Sequence, residues 1–188
     1  MEGYPKSKLL AEKAAWDFWN ALPEKDRFEL VVIIPGLIQG PAIFPNEDSS
    51  STYVKRMMMG LFPALPDVRF PVVDVRDTVF AHVQGAKVAA ARNQRFILIE
   101  NTYKISELSG ILQKHYAGSS YKFTTDIMAS PPPGNQLFGI LWGKDYKFDD
   151  SKTKFILGVK YRKIEDTMVA AAEAMINGGL LPDLRTAQ

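Results

Sequence analysis

Between positions 5 and 22 the apolar residues Leu9, Leu10, Ala14, Phe18 and Leu22 return at helical spacing, with Pro5 suited to a first turn and Pro23 to an exit. The pattern predicts an amphipathic helix. Phe28-Glu29-Leu30-Val31-Val32-Ile33-Ile34 is then a β-branched run stopped by Pro35-Gly36, as expected of a strand covered on both faces in a parallel sheet. Helices are predicted over 51–62 and 75–92, and short strands over 70–73 and 95–99. A further helix is read over 105–115, Ser130-Pro131-Pro132-Pro133-Gly134 reads as an irregular loop, and a last helix over 164–177 ends at Gly178-Gly179. This alternation predicts an α/β fold. No strand precedes the first helix and no glycine-rich G-x-G-x-x-G turn occurs, so the phosphate cradle of a dinucleotide site is absent from this sequence.

The 188 residues allow one domain or the larger part of one. Twenty-three Lys and Arg against 21 Asp and Glu leave +2, too little to build the basic footprint of a nucleic-acid or membrane-surface binder. Neither partner is expected. The lack of cysteine removes disulfides, thiolate metal sites and cysteine nucleophiles together, and is compatible with a reducing compartment. The start has no apolar signal region, and the longest apolar stretch, 30–44, is broken by Pro35, Gly36, Gly40 and Pro41. A cytoplasmic protein is expected.

Tyr4 and Lys8 stand four positions apart at the head of the first predicted helix, so one turn places the phenol and the ammonium on the same face. A phenol exchanges protons reluctantly at neutral pH, and a neighbouring cation favours its phenolate form. Such a pair can pass a proton to a carbonyl oxygen. Tyr-x-x-x-Lys alone is a weak pattern that a solvated helix surface also produces, and its context must decide.

That context is an ordered series: Tyr4-Pro5-Lys6-Ser7-Lys8, Ala11-Glu12, Pro35-Gly36-Leu37-Ile38-Gln39-Gly40-Pro41, Asp74-Val75-Arg76-Asp77 with Ala81-His82, Arg95-Phe96-Ile97-Leu98, and Ser151-Lys152 with Leu157-Gly158. The series resembles the extended short-chain dehydrogenase/reductases of the NAD-dependent epimerase/dehydratase superfamily, in the dihydroflavonol reductase and cinnamoyl-CoA reductase-like branch. The resemblance covers nearly the whole chain. It implies the C-terminal part of a Rossmann-like parallel sheet with a smaller substrate-binding lobe, the dinucleotide phosphate-binding half being absent. It also implies an NAD(P)H-dependent oxidoreductase acting on the CH–OH or carbonyl group of a small aldehyde or ketone, with NADP(H) favoured over NAD(H).

By that resemblance Tyr4 is the general acid, and Lys8 contacts the nicotinamide ribose and steadies the phenolate. Pro35, Gly36 and Leu37 line the nicotinamide from the carboxyl end of a parallel strand, although the same residues alone read as a strand-ending turn. Ser49, Ser50 and Ser51 lie where relatives place a serine near the cofactor, and Ser50 is carried as the candidate. On residues alone the segment is equally a polar loop and helix cap. The family's substrate-positioning Ser or Thr has no counterpart here. The family's helices often build dimers, so a homodimer is among the expectations. Two alternatives stay open: a non-catalytic binding protein that keeps the reductase lobe, and a sugar-nucleotide epimerase or hydroxysteroid dehydrogenase sharing Tyr4 and Lys8.

The remaining polar landmarks read as structure. Asp74, Arg76 and Asp77 suit the solvated start of a helix, His82 a packed and hydrogen-bonded position, and two histidines as distant as His82 and His115 make no metal site. Met57-Met58-Met59 with Phe62 reads as core, or, by the resemblance, as part of the substrate half. The resemblance gives the stretch from Ser130 to Trp142 to the same half, with Phe138 and Trp142 as candidate substrate contacts. The mixed charges between Lys144 and Asp166 read as solvated surface.

Overall fold

The computed structural model describes residues 3–43 and 50–185. The first helix, α1 (Gly3–Ala21), leads through a single helical turn to strand β1 (Val31–Pro35), which continues past Gly36 into β2 (Leu37–Gln39). After α2 (Ser51–Met58) come β3 (Arg69–Asp74), α3 (Val75–Lys87), β4 (Gln94–Leu98), β5 (Asn101–Lys104) and α4 (Ile105–His115). Three helices complete the described chain: α5 (Gln136–Leu141), α6 (Ser151–Leu157) and α7 (Ile164–Asn177). The fold is α/β, as the sequence pattern predicts.

The strands form two small sheets. β1 pairs in parallel with β4, Val31 opposite Gln94 and Pro35 opposite Leu98. In the other sheet β3 is central, parallel to β2 on one edge and antiparallel to β5 on the other. Two backbone hydrogen bonds stitch the sheets together: Gly36 N–H donates to the Leu98 carbonyl at 3.1 Å and Glu100 N–H to the Val72 carbonyl at 2.8 Å. Gly36 is required at this seam, because a Cβ there would sit 2.5 Å from the Pro71 carbonyl oxygen.

Two apolar clusters hold these layers. The larger packs Val54, Met57 and Met58 of α2 against Leu108 and Leu112 of α4 and Met168 of α7. The second packs Phe96 and Leu98 of β4 with Ala81 of α3 and Leu157 of α6. Met57, Met58 and Phe62 are therefore interior, as their reading as core expects.

Two further expectations change. β1 is half-buried at all five positions instead of covered on both faces, because among the described residues only β4 pairs with it and its other edge has no strand partner. In α1 the predicted apolar stripe faces outward, with Leu9, Leu10 and Phe18 exposed at 66%, 52% and 62%. The turned-in side is Glu12, Trp16 and Trp19. Arg95 of β4 pairs with Glu12, and the Trp19 indole N–H donates to the Phe28 carbonyl at 2.6 Å.

The α3 segment builds an ionic hub instead of a solvated helix start. Asp74 caps α3 by accepting from Arg76 N–H at 2.7 Å, and its other oxygen accepts from Thr167 of α7 at 2.8 Å. Asp77 is buried and takes both the backbone N–H and the guanidinium of Arg162. His82 bonds the Thr78 carbonyl at 2.8 Å but lies exposed, so it is hydrogen-bonded without being packed.

Candidate functional site

The first turn of α1 carries Tyr4 and Lys8, the pair that the sequence pattern singles out. Lys8 Nζ lies 5.5 Å from the centroid of the Tyr4 ring, the juxtaposition that a spacing of one helical turn predicts. Tyr4 is 67% exposed. Neither its hydroxyl nor the Lys8 ammonium is hydrogen-bonded to a described residue, so both keep their full donor capacity for a ligand. Ser7 adds local order by donating to the Tyr4 carbonyl at 2.8 Å.

Pro35, Gly36 and Leu37 sit at the carboxyl end of β1, the position where open α/β sheets form ligand crevices. Gly36 has a structural reason of its own in the Pro71 contact. Ser50 stands at the N-terminal boundary of α2, and its carbonyl accepts from the buried Gln39 side chain of β2 at 3.0 Å. That bond ties Ser50 to the strand that carries Leu37. Ser49 lies outside the described residues, and Ser51 is the first residue of α2. Thus the structure joins Tyr4 to Lys8, and Leu37 to Ser50 through β2. No hydrogen bond or ring contact among the described residues links the two groups.

Against the head of α1 stands a cavity of about 630 Å³, walled by Pro5 on one side and by Pro132, Pro133, Asn135, Leu137 and Ile140 on the other. The sequence reading missed α5, which forms half of this wall. Its signal was a polar residue followed by a short apolar run, Asn135 before Leu137 and Phe138, and the Asn135 side chain indeed caps the helix by accepting from Phe138 N–H at 3.1 Å. The face presented is not the one expected. Phe138 turns inward, its ring 6.1 Å from that of Phe70 in an edge-to-face contact, and Leu137 and Ile140 face the cavity in its place.

The strongly perturbed titratable groups lie elsewhere. Burial and the negative charge of Glu173 push the Tyr116 phenol far up, as burial and Glu100 do for Tyr103, the two hydroxyls donating to their carboxylates at 2.7 Å. These pairs fasten α4 to α7 and β5 to the end of β4, and they are interior latches. Among the described residues no cluster of three His, Asp or Glu side chains could hold a metal, and no helix is long and apolar enough to cross a membrane.

No family model matches the chain. It is 26% identical over 182 residues to an NADPH-dependent methylglyoxal reductase of Saccharomyces cerevisiae, covering 94% of this chain and 51% of that protein. It is 27% identical over 179 residues to cinnamoyl-CoA reductase 2 of Arabidopsis thaliana, covering 95% of this chain and 49% of that one. The crystal structure of Gre2 from Candida albicans in complex with NADPH superposes with a TM-score of 0.73 at 26% identity, over 94% of this chain and 52% of its own. The chain spans about half the length of the curated relatives it matches. In its ordered motifs, its α/β fold and these relatives, the chain is similar to the extended short-chain dehydrogenase/reductases, in the branch of the dihydroflavonol and cinnamoyl-CoA reductases.

Proposed function

We propose that the chain is the C-terminal portion of an NADPH-dependent oxidoreductase that reduces the carbonyl group of a small aldehyde or ketone to an alcohol. The observation that carries this reading is the Tyr4–Lys8 pair, a phenol and an ammonium stacked at 5.5 Å on one exposed turn with their donors directed to no described partner. NADPH is the cofactor named for the relatives in S. cerevisiae and C. albicans. The residues present suit one end of it: Lys8 can donate to a ribose diol, and the turn at Pro35 and Leu37 can flank a flat ring. The glycine-rich phosphate turn is not in this sequence. When bound, the reduced nicotinamide supplies a hydride equivalent.

The proton transfer falls to this chain. Tyr4 Oη hydrogen-bonds the substrate carbonyl oxygen and gives up its proton as negative charge gathers there. The Lys8 ammonium stabilises the phenolate left behind, and takes part in holding the ribose. Ser50 and Leu37, tied together through Gln39, line the far side of the crevice. A cytoplasmic setting fits the cysteine-free composition.

The test is NADPH oxidation with a panel of aldehydes and ketones, measured on the protein that contains this chain. Tyr4→Phe is expected to lower kcat by about 10²- to 10⁴-fold while leaving the NADPH dissociation constant in place. Lys8→Met should weaken NADPH binding as well as turnover. An unchanged kcat in Tyr4→Phe would remove the assignment, and a protein that turns over no carbonyl compound would favour the binding-protein alternative.

A further inference from the structure

The cavity facing the head of α1 differs in chemistry from the grooves beside α6 and α7. None of its lining residues among those described carries a charge, whereas the groove between α1 and α6 includes Arg95, Asp149 and Lys152, and the one between α4 and α7 includes Glu107, Lys114 and Glu165. Its wall is also stiff. Three consecutive prolines restrict φ from 131 to 133, Gly134 turns the chain at φ +78°, in the left-handed region, and Asn135 N–H donates to the Pro132 carbonyl at 3.3 Å. The Asn135 cap and the Phe138–Phe70 contact then fix the rotation of α5, so that Leu137 and Ile140, three positions apart, project on one side. They are 46% and 61% exposed, high for side chains of their size, and Pro5, the neighbour of Tyr4, closes the opposite wall.

We infer that Leu137 and Ile140 are specificity-determining residues, forming with Pro132 and Pro133 the wall that receives the uncharged apolar substituent of the carbonyl substrate. The inference rests on the carbonyl-reductase reading and adds a constraint to it. A carboxylate or phosphate seated against this wall would meet no cation among its described lining residues, so a neutral apolar substituent is favoured there over an anionic one. The amides of Asn135 and Gln136 supply neutral polar contacts at the rim.

The test is a methyl-resolved NMR titration of the protein that contains this chain with 4-phenyl-2-butanone and, separately, with phenylpyruvate, which adds a carboxylate to a similar ketone. The neutral ketone is expected to shift the Leu137 and Ile140 methyl signals saturably, and phenylpyruvate to leave them unmoved. Ile140→Lys, a change at an exposed position that leaves the core alone, should weaken the neutral ketone by roughly tenfold or more and admit phenylpyruvate. Unmoved methyls with the neutral ketone, or equal shifts with both ligands in the unaltered chain, would overturn the inference whether or not the variant folds. The catalytic reading is checked separately by turnover in Tyr4→Phe. Ketone binding at these methyls without any turnover would discard that reading alone, and turnover of neutral and anionic ketones alike would discard only the wall.

Discussion

At the scale of single residues, Gly36 and Asp74 show how family landmarks earn their places through packing. A Cβ at Gly36 would approach the Pro71 carbonyl oxygen to 2.5 Å and its carbon to 2.8 Å, both backbone atoms that cannot rotate away. Gly36→Ala is therefore expected to cost about 1–3 kcal/mol, read as a fall in the denaturant midpoint. Asp74 is a different case. Burial raises the proton affinity of its carboxyl, but the Arg76 side chain and N–H together with the Thr167 hydroxyl outweigh that and hold it below the usual aspartate range. A carboxyl depressed in the folded state contributes stability that is fully present above the unfolded value and is lost as pH falls through the folded one. The acid limb of a stability–pH curve should accordingly drop below about pH 4, and Asp74→Asn should flatten that limb while lowering stability at neutral pH.

At the scale of elements, α1 stands apart from the other helices. It contributes no fully buried residue and is fastened through Glu12 to Arg95 and through the Trp19 indole to Phe28. The Arg95 guanidinium holds the Glu12 carboxyl below its usual range, the mark of a formed pair. Such a partly exposed pair is worth about 1 kcal/mol, so Glu12→Gln should change global stability little. Its effect is expected in local opening: hydrogen exchange across α1 should quicken while the amides of β4 and α7 stay protected. Since Tyr4 and Lys8 ride on this helix, the same variant should lower the turnover proposed for this pair by loosening their position. By contrast, α7 is locked by Thr167 and Asp74 and by Met168 and Met175 in the core.

For the whole molecule, the outward stripe of Leu9, Leu10 and Phe18 and the edge of β1 that no described strand pairs are two open surfaces. Buried parallel strands are ordinarily paired on both edges, and an apolar helical stripe ordinarily faces a sheet. An isolated chain with both surfaces open is prone to associate. Replacing Leu9, Leu10 and Phe18 with polar residues should leave the unfolding free energy within about 0.5 kcal/mol and reduce concentration-dependent association in sedimentation. A large loss of stability would show that the stripe is covered.

The sequence by itself determined the α/β alternation, the bounds of α4 and α7, and the Tyr4–Lys8 pair, because these rest on local periodicity and on a spacing of one turn. Strands β2 and β5 and helices α5 and α6 escaped it, being only three to seven residues long and supported by neighbours instead of pattern. Which face an element presents was decided only in three dimensions. The stripe of α1 turned outward, Phe138 turned inward and Leu137 and Ile140 turned toward the cavity. Amphipathic pattern says that a helix has two unlike faces, but where the apolar one points depends on partners remote in the chain, here Arg95 for α1 and Phe70 for α5.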